Sequence, residues 1–287
     1  MLGKLIKYDF LALSKILLPT QLAVLLASVI GAISLTFILR SDTTGAIHNV
    51  IAGFMVWVSG IITAIMILAI IASALLVWFI IFQRFYKSFM KDEAYLTFTL
   101  PVGVASLLGS KLITALLWSA INALVITLGA FIIMMFGTAS RGIINTDMLY
   151  LLSNLADGIF EVISGNVMLF AIEIALVSAV SVISHVLIVF LAIIIGGIVA
   201  RKHKILAGIG FYFALNIVIS MIVRLANALI GVFVPSPAWS INIYNMVDEL
   251  VRWARPYLIF NIGMYAAIST GLFLTCHFFL KNKLNLE

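Results

Sequence analysis

The chain has 287 residues and a formal net charge of +6; 64% of its residues are hydrophobic and only 10% are charged. A soluble domain keeps about a quarter of its residues charged to hold its surface in water, so this composition excludes an ordinary soluble enzyme or binding domain. The basic residues sit in short clusters between apolar runs rather than along a stripe, a pattern of topogenic charge that leaves no reason to expect nucleic acid as a partner.

From the N-terminus, residues 1–14 place Leu2, Leu5, Ile6, Phe10 and Leu13 at helical spacing, with Lys4, Lys7 and Asp9 between them. This predicts an amphipathic helix lying in the headgroup layer. The stretch 1–20 carries Asp9 and Pro19 and lacks a small-residue cleavage site, so it does not read as a signal peptide. Six apolar runs follow, at 16–39, 50–82, 112–136, 167–200, 205–234 and 257–280, each above the threshold of about 18 residues for a span. The expected fold is all-α: a polytopic membrane protein with six transmembrane helices in one domain over 1–287.

Lys and Arg set the orientation. Twelve of them fall in the N-terminus, 83–111, 201–204 and the C-terminal tail, against four (Arg40, Arg141, Arg252, Arg255) on the other side. Both termini are therefore expected in the cytoplasm. Segments 146–163 and 241–253 then lie outside, each amphipathic and suited to the interface or to covering span ends. Small residues recur every fourth position at Ala171, Ala175 and Ala179, and at Gly263, Ala267 and Gly271. Such stripes allow close helix approach, within the chain or at a dimer seam.

Catalytic groups are sparse. His48, His185, His203 and His277 are scattered, and Cys276 is the single cysteine, inside an apolar run. No HExxH or Gly-x-Ser-x-Gly motif is present, so no metal site and no catalytic residue is expected. The segment GVASLLGSK at 103–111 has the wrong spacing and residue order for a phosphate loop. Two charges, Glu173 and Arg224, lie within spans, roughly 40 Å and roughly 29 Å from the cytoplasmic helix ends. Both heights are near or beyond the outer edge of a core about 30 Å thick. A pair between them would make an intramembrane ion pair, and in a secondary transporter they would form an ion or proton relay.

The strongest functional signal is the segment QRFYKSFMKDEAYLTFTLPVGVASLLGSK at 83–111. It predicts a short helix over 92–100, with Asp92 as N-cap and Pro101 as terminator. Tyr95 and Phe98 share one face, which reads either as a protein-docking knob or as aromatics dipping into the headgroup belt.

The opening MLGKLIKYDFLALSKILLP and the segment KDEAYLTFTLPVGVASLLGSKLI resemble the permease subunits of bacterial type-2 ABC exporters, closest to the small clostridial-type permeases that include antibiotic-peptide and lantibiotic exporters. The resemblance covers the whole chain. It implies a coupling helix between spans two and three in which Asp92, Glu93, Tyr95, Leu96 and Phe98 sit in a groove of a separate cytoplasmic ATPase. The N-terminal helix, around Lys4, Lys7, Tyr8 and Phe10, would rest beside that ATPase. It further implies a bacterial cytoplasmic membrane location, a second permease copy or sister permease as partner, and ATP and Mg bound by the ATPase subunit rather than by this chain. The implied function is ATP-driven export of a peptide, antibiotic or lipid-like substrate, with no enzymatic activity in this chain by itself.

Overall fold

In lipid every backbone polar group must be satisfied within its own segment, which favours helix for each apolar run. The structure is a computed structural model that describes residues 2–43, 50–90, 94, 99, 101–140, 166–200, 203–234 and 243–282. Six helices fill these residues: α1 (Leu2–Thr43), α2 (Val50–Met90), α3 (Val104–Ser140), α4 (Asn166–Val199), α5 (Lys204–Phe233) and α6 (Ile243–Asn282). All six contain a segment long and apolar enough to cross a membrane, and no strand occurs among the described residues.

Helix boundaries differ from the sequence expectation in three places. The N-terminal amphipathic segment is not a separate helix, because α1 runs unbroken through Pro19 for 42 residues, about 63 Å of rise. The segment 83–111 is mostly helix rather than loop: 83–90 completes α2 and 104–111 opens α3. At the other end of the chain, 243–253 is continuous with the last span through Pro256. Apolar runs mark where a helix is lipid-compatible, whereas helix propagation, once nucleated, continues through flanking polar turns and here passes even Pro19 and Pro256.

Contacts divide the chain into two compact units. One comprises 3–81 and 113–158, the other 1–2, 82–112 and 159–287, so that α2 and α3 contribute to both. In the first unit, α1 buries one stripe containing Leu13, Leu17, Gln21, Val24 and Ser28, spaced by three or four residues as a single helix face requires. Against it α3 sets Trp118, Asn122 and Gly129: Phe10 stacks on Trp118 with centroids 4.9 Å apart, and a side chain at Gly129 would strike the Ser28 hydroxyl. Contacts that advance together along both helices make α1 and α3 parallel. Toward α2, Gly31 meets Met66 and Ser34 Oγ donates to the Ser59 carbonyl at 2.7 Å, an antiparallel register.

The second unit is built around α4, which packs on both α5 and α6. Residues 186–192 of α4 are buried without a break, more than one helix face. They have neighbours on three sides. Phe85 of α2 stacks on Phe190 at 3.7 Å and nearly parallel. Cys276 of α6 reaches the Leu187 carbonyl at 3.9 Å. Gly196 approaches Gly208 of α5 so closely that a side chain at Gly196 would collide with the Gly208 backbone. Glycine at this crossing lets the backbones of α4 and α5 meet. The small-residue stripes at 171–179 and 263–271 do not serve this purpose: all six residues are exposed, and no atom stands within 4 Å of a Cβ built at Gly263 or Gly271.

Candidate functional site

Of the expected coupling residues, Asp92, Glu93, Tyr95, Leu96 and Phe98 lie outside the described residues, as does the segment 146–163. Their neighbours Ala94 and Thr99 are helical, Ala94 buried and Thr99 exposed. The segment 91–103 joins α2 to α3. Both flanking helices run on past the apolar limits at Phe82 and Leu112, by about 12 Å on each side.

At the head of α1, Lys4, Lys7 and Tyr8 are exposed, Tyr8 at 71%, and with Leu11 and Lys15 they form one open face. Phe10 is separated from them: its ring is committed to the stack on Trp118. A docking surface at this end would therefore consist of the lysines and Tyr8, with Phe10 holding α1 to α3.

Glu173 has a different partner from the one expected. Arg255 Nε donates to Glu173 Oε1 at 2.8 Å, with the side chains 35% and 14% exposed respectively. Arg224 forms no pair with Glu173. The pairing follows from which faces meet: α4 and α6 run parallel, so their amino-terminal portions lie side by side, whereas Arg224, at a matching height on the antiparallel α5, stands on that helix's exposed face. Glu173 Oε2 is buried without a hydrogen-bond partner among the described residues.

The ion pair is the first rung of a polar seam through the second unit. Further along, Asn227 and Asn261 exchange amide hydrogen bonds, at 3.2 Å and 2.8 Å. Beyond them Ser184 and Ser269 hydroxyls lie 2.7 Å apart, and Ser269 also donates to the Tyr265 carbonyl. On the α5 side the Tyr212 hydroxyl meets His185 Nε2 at 3.1 Å, with Asn216 Nδ2 reaching the same hydroxyl at 3.5 Å. Sequence reading set His185 aside as an isolated histidine. The available signal was the four-residue spacing of Tyr212 and Asn216, which puts two polar groups on one face of α5.

Such bonds hold helices together where lipid supplies no hydrophobic drive, each contributing about 0.6–2 kcal/mol. Arg224 stands outside this network. It is exposed on α5 and makes no hydrogen bond or ion pair with any described residue. An arginine at a helix centre costs about 2.5–3.5 kcal/mol on insertion scales, so a cation on an apolar helix marks a place where an anion or water is to be expected. Among the described residues, no group of three His, Cys, Asp or Glu side chains is placed to hold a metal ion.

Comparison with family models, with curated proteins and with solved structures gives no match to this chain.

Proposed function

We propose that this chain is the membrane-spanning permease subunit of an ATP-driven exporter. Hydrolysis takes place in separate cytoplasmic ATPase subunits, and a second copy or sister permease completes the pathway. The observation that carries the reading is the extension of α2 and α3 past their apolar limits. Ends that pass beyond the hydrocarbon layer would carry the segment 91–103, with its KDEAYLTFTLP sequence, to where a soluble partner could dock. Closure of the ATPase subunits on ATP would push this segment. The push would move along α2 to Phe85 and Met90, which bear directly on α4 through Phe190 and Gly197. Rigid helices with packed ends transmit such a displacement as a body.

The largely apolar faces of α2 and α5 suit hydrophobic or amphipathic cargo better than sugars or inorganic ions. The relay reading, in which Glu173 and Arg224 carry ions through a secondary transporter, loses its pair to the Glu173–Arg255 contact.

The test is co-purification of the tagged chain with a cytoplasmic ABC ATPase from the same cell, with hydrolysis followed as permease is titrated in. Stable co-elution with altered turnover is expected. In that complex Tyr95→Ala with Phe98→Ala should separate hydrolysis from transport while leaving the spans folded. Normal coupling in the double variant would sink the docking assignment.

A further inference from the structure

Two successive residues near the end of α4 are glycines, Gly196 and Gly197, and each meets a different helix. Neighbouring positions on a helix point about 100° apart, so adjacent residues can face separate partners. At Gly196 the partner is the backbone of Gly208 in α5. At Gly197 it is the side chain of Met90, the last residue of α2. A Cβ built at Gly197 would lie 2.5 Å from the Met90 sulfur and 3.5 Å from its Cγ. All of these residues belong to one compact unit.

The two contacts differ in stiffness. Backbone against backbone at Gly196 has no rotamer with which to yield, so α4 and α5 are locked together at this level. Met90 reaches Gly197 with an unbranched side chain of several rotatable bonds, which changes shape at little cost. Five residues earlier on α2, Phe85 is stacked on Phe190 of α4, both rings fully enclosed. Stacked rings in close-packed surroundings hold their place, since any shift opens voids around them. The last turn of α2 therefore has a firm hold at Phe85 and a yielding one at Met90, about 7.5 Å further along the helix. The yielding contact is the one that adjoins the segment 91–103.

We propose that Met90 in the Gly197 notch is a slipping catch: α4 and α5 move as one body, and the end of α2 shifts against them about the Phe85–Phe190 stack. A displacement of 91–103 is then taken up first at Met90. That a docked ATPase delivers the displacement rests on the permease reading; that the contact yields at Met90 does not.

The first measurements use the full chain alone in one detergent. Gly197→Ala, whose methyl displaces only a methionine tip, should leave the thermal unfolding midpoint unchanged, whereas Gly196→Ala should lower it. Met90→Ala should raise hydrogen exchange of the amides at 86–90 about tenfold and leave those at 205–212 of α5 unaltered. A midpoint lowered as far by Gly197→Ala as by Gly196→Ala overturns the catch, because Met90 would then be unable to yield. Faster exchange in α5 on Met90→Ala also overturns it, because α5 would then depend on α2 rather than on α4. A further variant reads movement itself. A cysteine sulfur at 90 takes the place of Met90 Cγ, within reach of one at 197 for a disulfide. In the complex with its ATPase, Met90→Cys with Gly197→Cys, in a Cys276→Ala background, should cross-link about fivefold more slowly with ATP bound, the low end of coupling between linked sites. An unchanged rate overturns the movement. If no ATPase associates, the permease reading fails, while the measurements on the chain alone still decide the catch.

Discussion

In the α1–α2–α3 unit α1 meets α3 along one buried stripe, where a hydrogen bond between side-chain amides, Gln21 Nε2 to Asn122 Oδ1 at 3.1 Å, sits beside the Phe10–Trp118 stack. In the α4–α5–α6 unit polar pairs recur from Glu173–Arg255 through Asn227–Asn261 to Ser184–Ser269, and a glycine crossing joins α4 to α5. Lipid tails are as apolar as leucine, so neither unit can rely on escape from water to hold its helices together. The first unit depends mainly on shape, with the Gln21–Asn122 bond fixing α1 against α3 and the Ser34–Ser59 bond fixing α1 against α2. The second depends on backbone proximity at one end and hydrogen bonds at the other, which leaves α5 attached along a narrow seam and open over the rest of its surface. The same unit thus holds the most enclosed helix, α4, beside one of the most open.

The comparison is broken most severely at the glycine crossing. Gly196→Leu should destabilise the protein by about 3 kcal/mol or more, because the clash is with backbone and cannot be relieved by a rotamer change. Gly263→Ala, in open space, should be neutral. Thermal unfolding midpoints of the purified protein in one detergent would check both, and equal midpoints would remove the crossing as the anchor of α5.

A smaller loss is expected at the ion pair. Glu173→Gln should cost about 1–2 kcal/mol, given that Arg255 is partly exposed and its charge partly screened. Reversing both charges, Glu173→Arg with Arg255→Glu, should recover much of it. Arg224→Gln should change stability by less than about 0.5 kcal/mol, as expected of an exposed side chain with no partner among the described residues. A destabilisation there matching that of Glu173→Gln would mean that Arg224 belongs to the seam after all.

The amide pairs provide the finest test. Asn227→Leu removes both halves of a reciprocal pair and should cost about 1–2 kcal/mol, whereas Gln21→Leu removes one bond and should cost about 0.6 kcal/mol. Equal costs would erase the distinction between a unit held by polar bonds and one held by fit.

What the sequence determined by itself was whatever can be read along one dimension. Run length and composition were enough for six spans, because the distance across a membrane converts directly into residues of helix. The lysine and arginine count predicts an orientation for the same reason, and the resemblance of the 91–103 segment needs no geometry. Which surfaces meet was decided only in three dimensions. Residues 53–76 of α2 and 186–192 of α4 are similarly apolar, yet none of the former is buried and all of the latter are. Hydropathy reports departure from water, and in a membrane both lipid and protein satisfy it. Glu173 found Arg255, 82 residues away, because parallel helices align their amino-terminal portions, something no local spacing encodes. The glycines that close a helix crossing, Gly196 and Gly208, lie outside both small-residue stripes, since spacing reveals a face but not what the face meets. Tertiary packing made those choices, where small differences in fit and hydrogen bonding decide among helix surfaces that lipid would accept equally well.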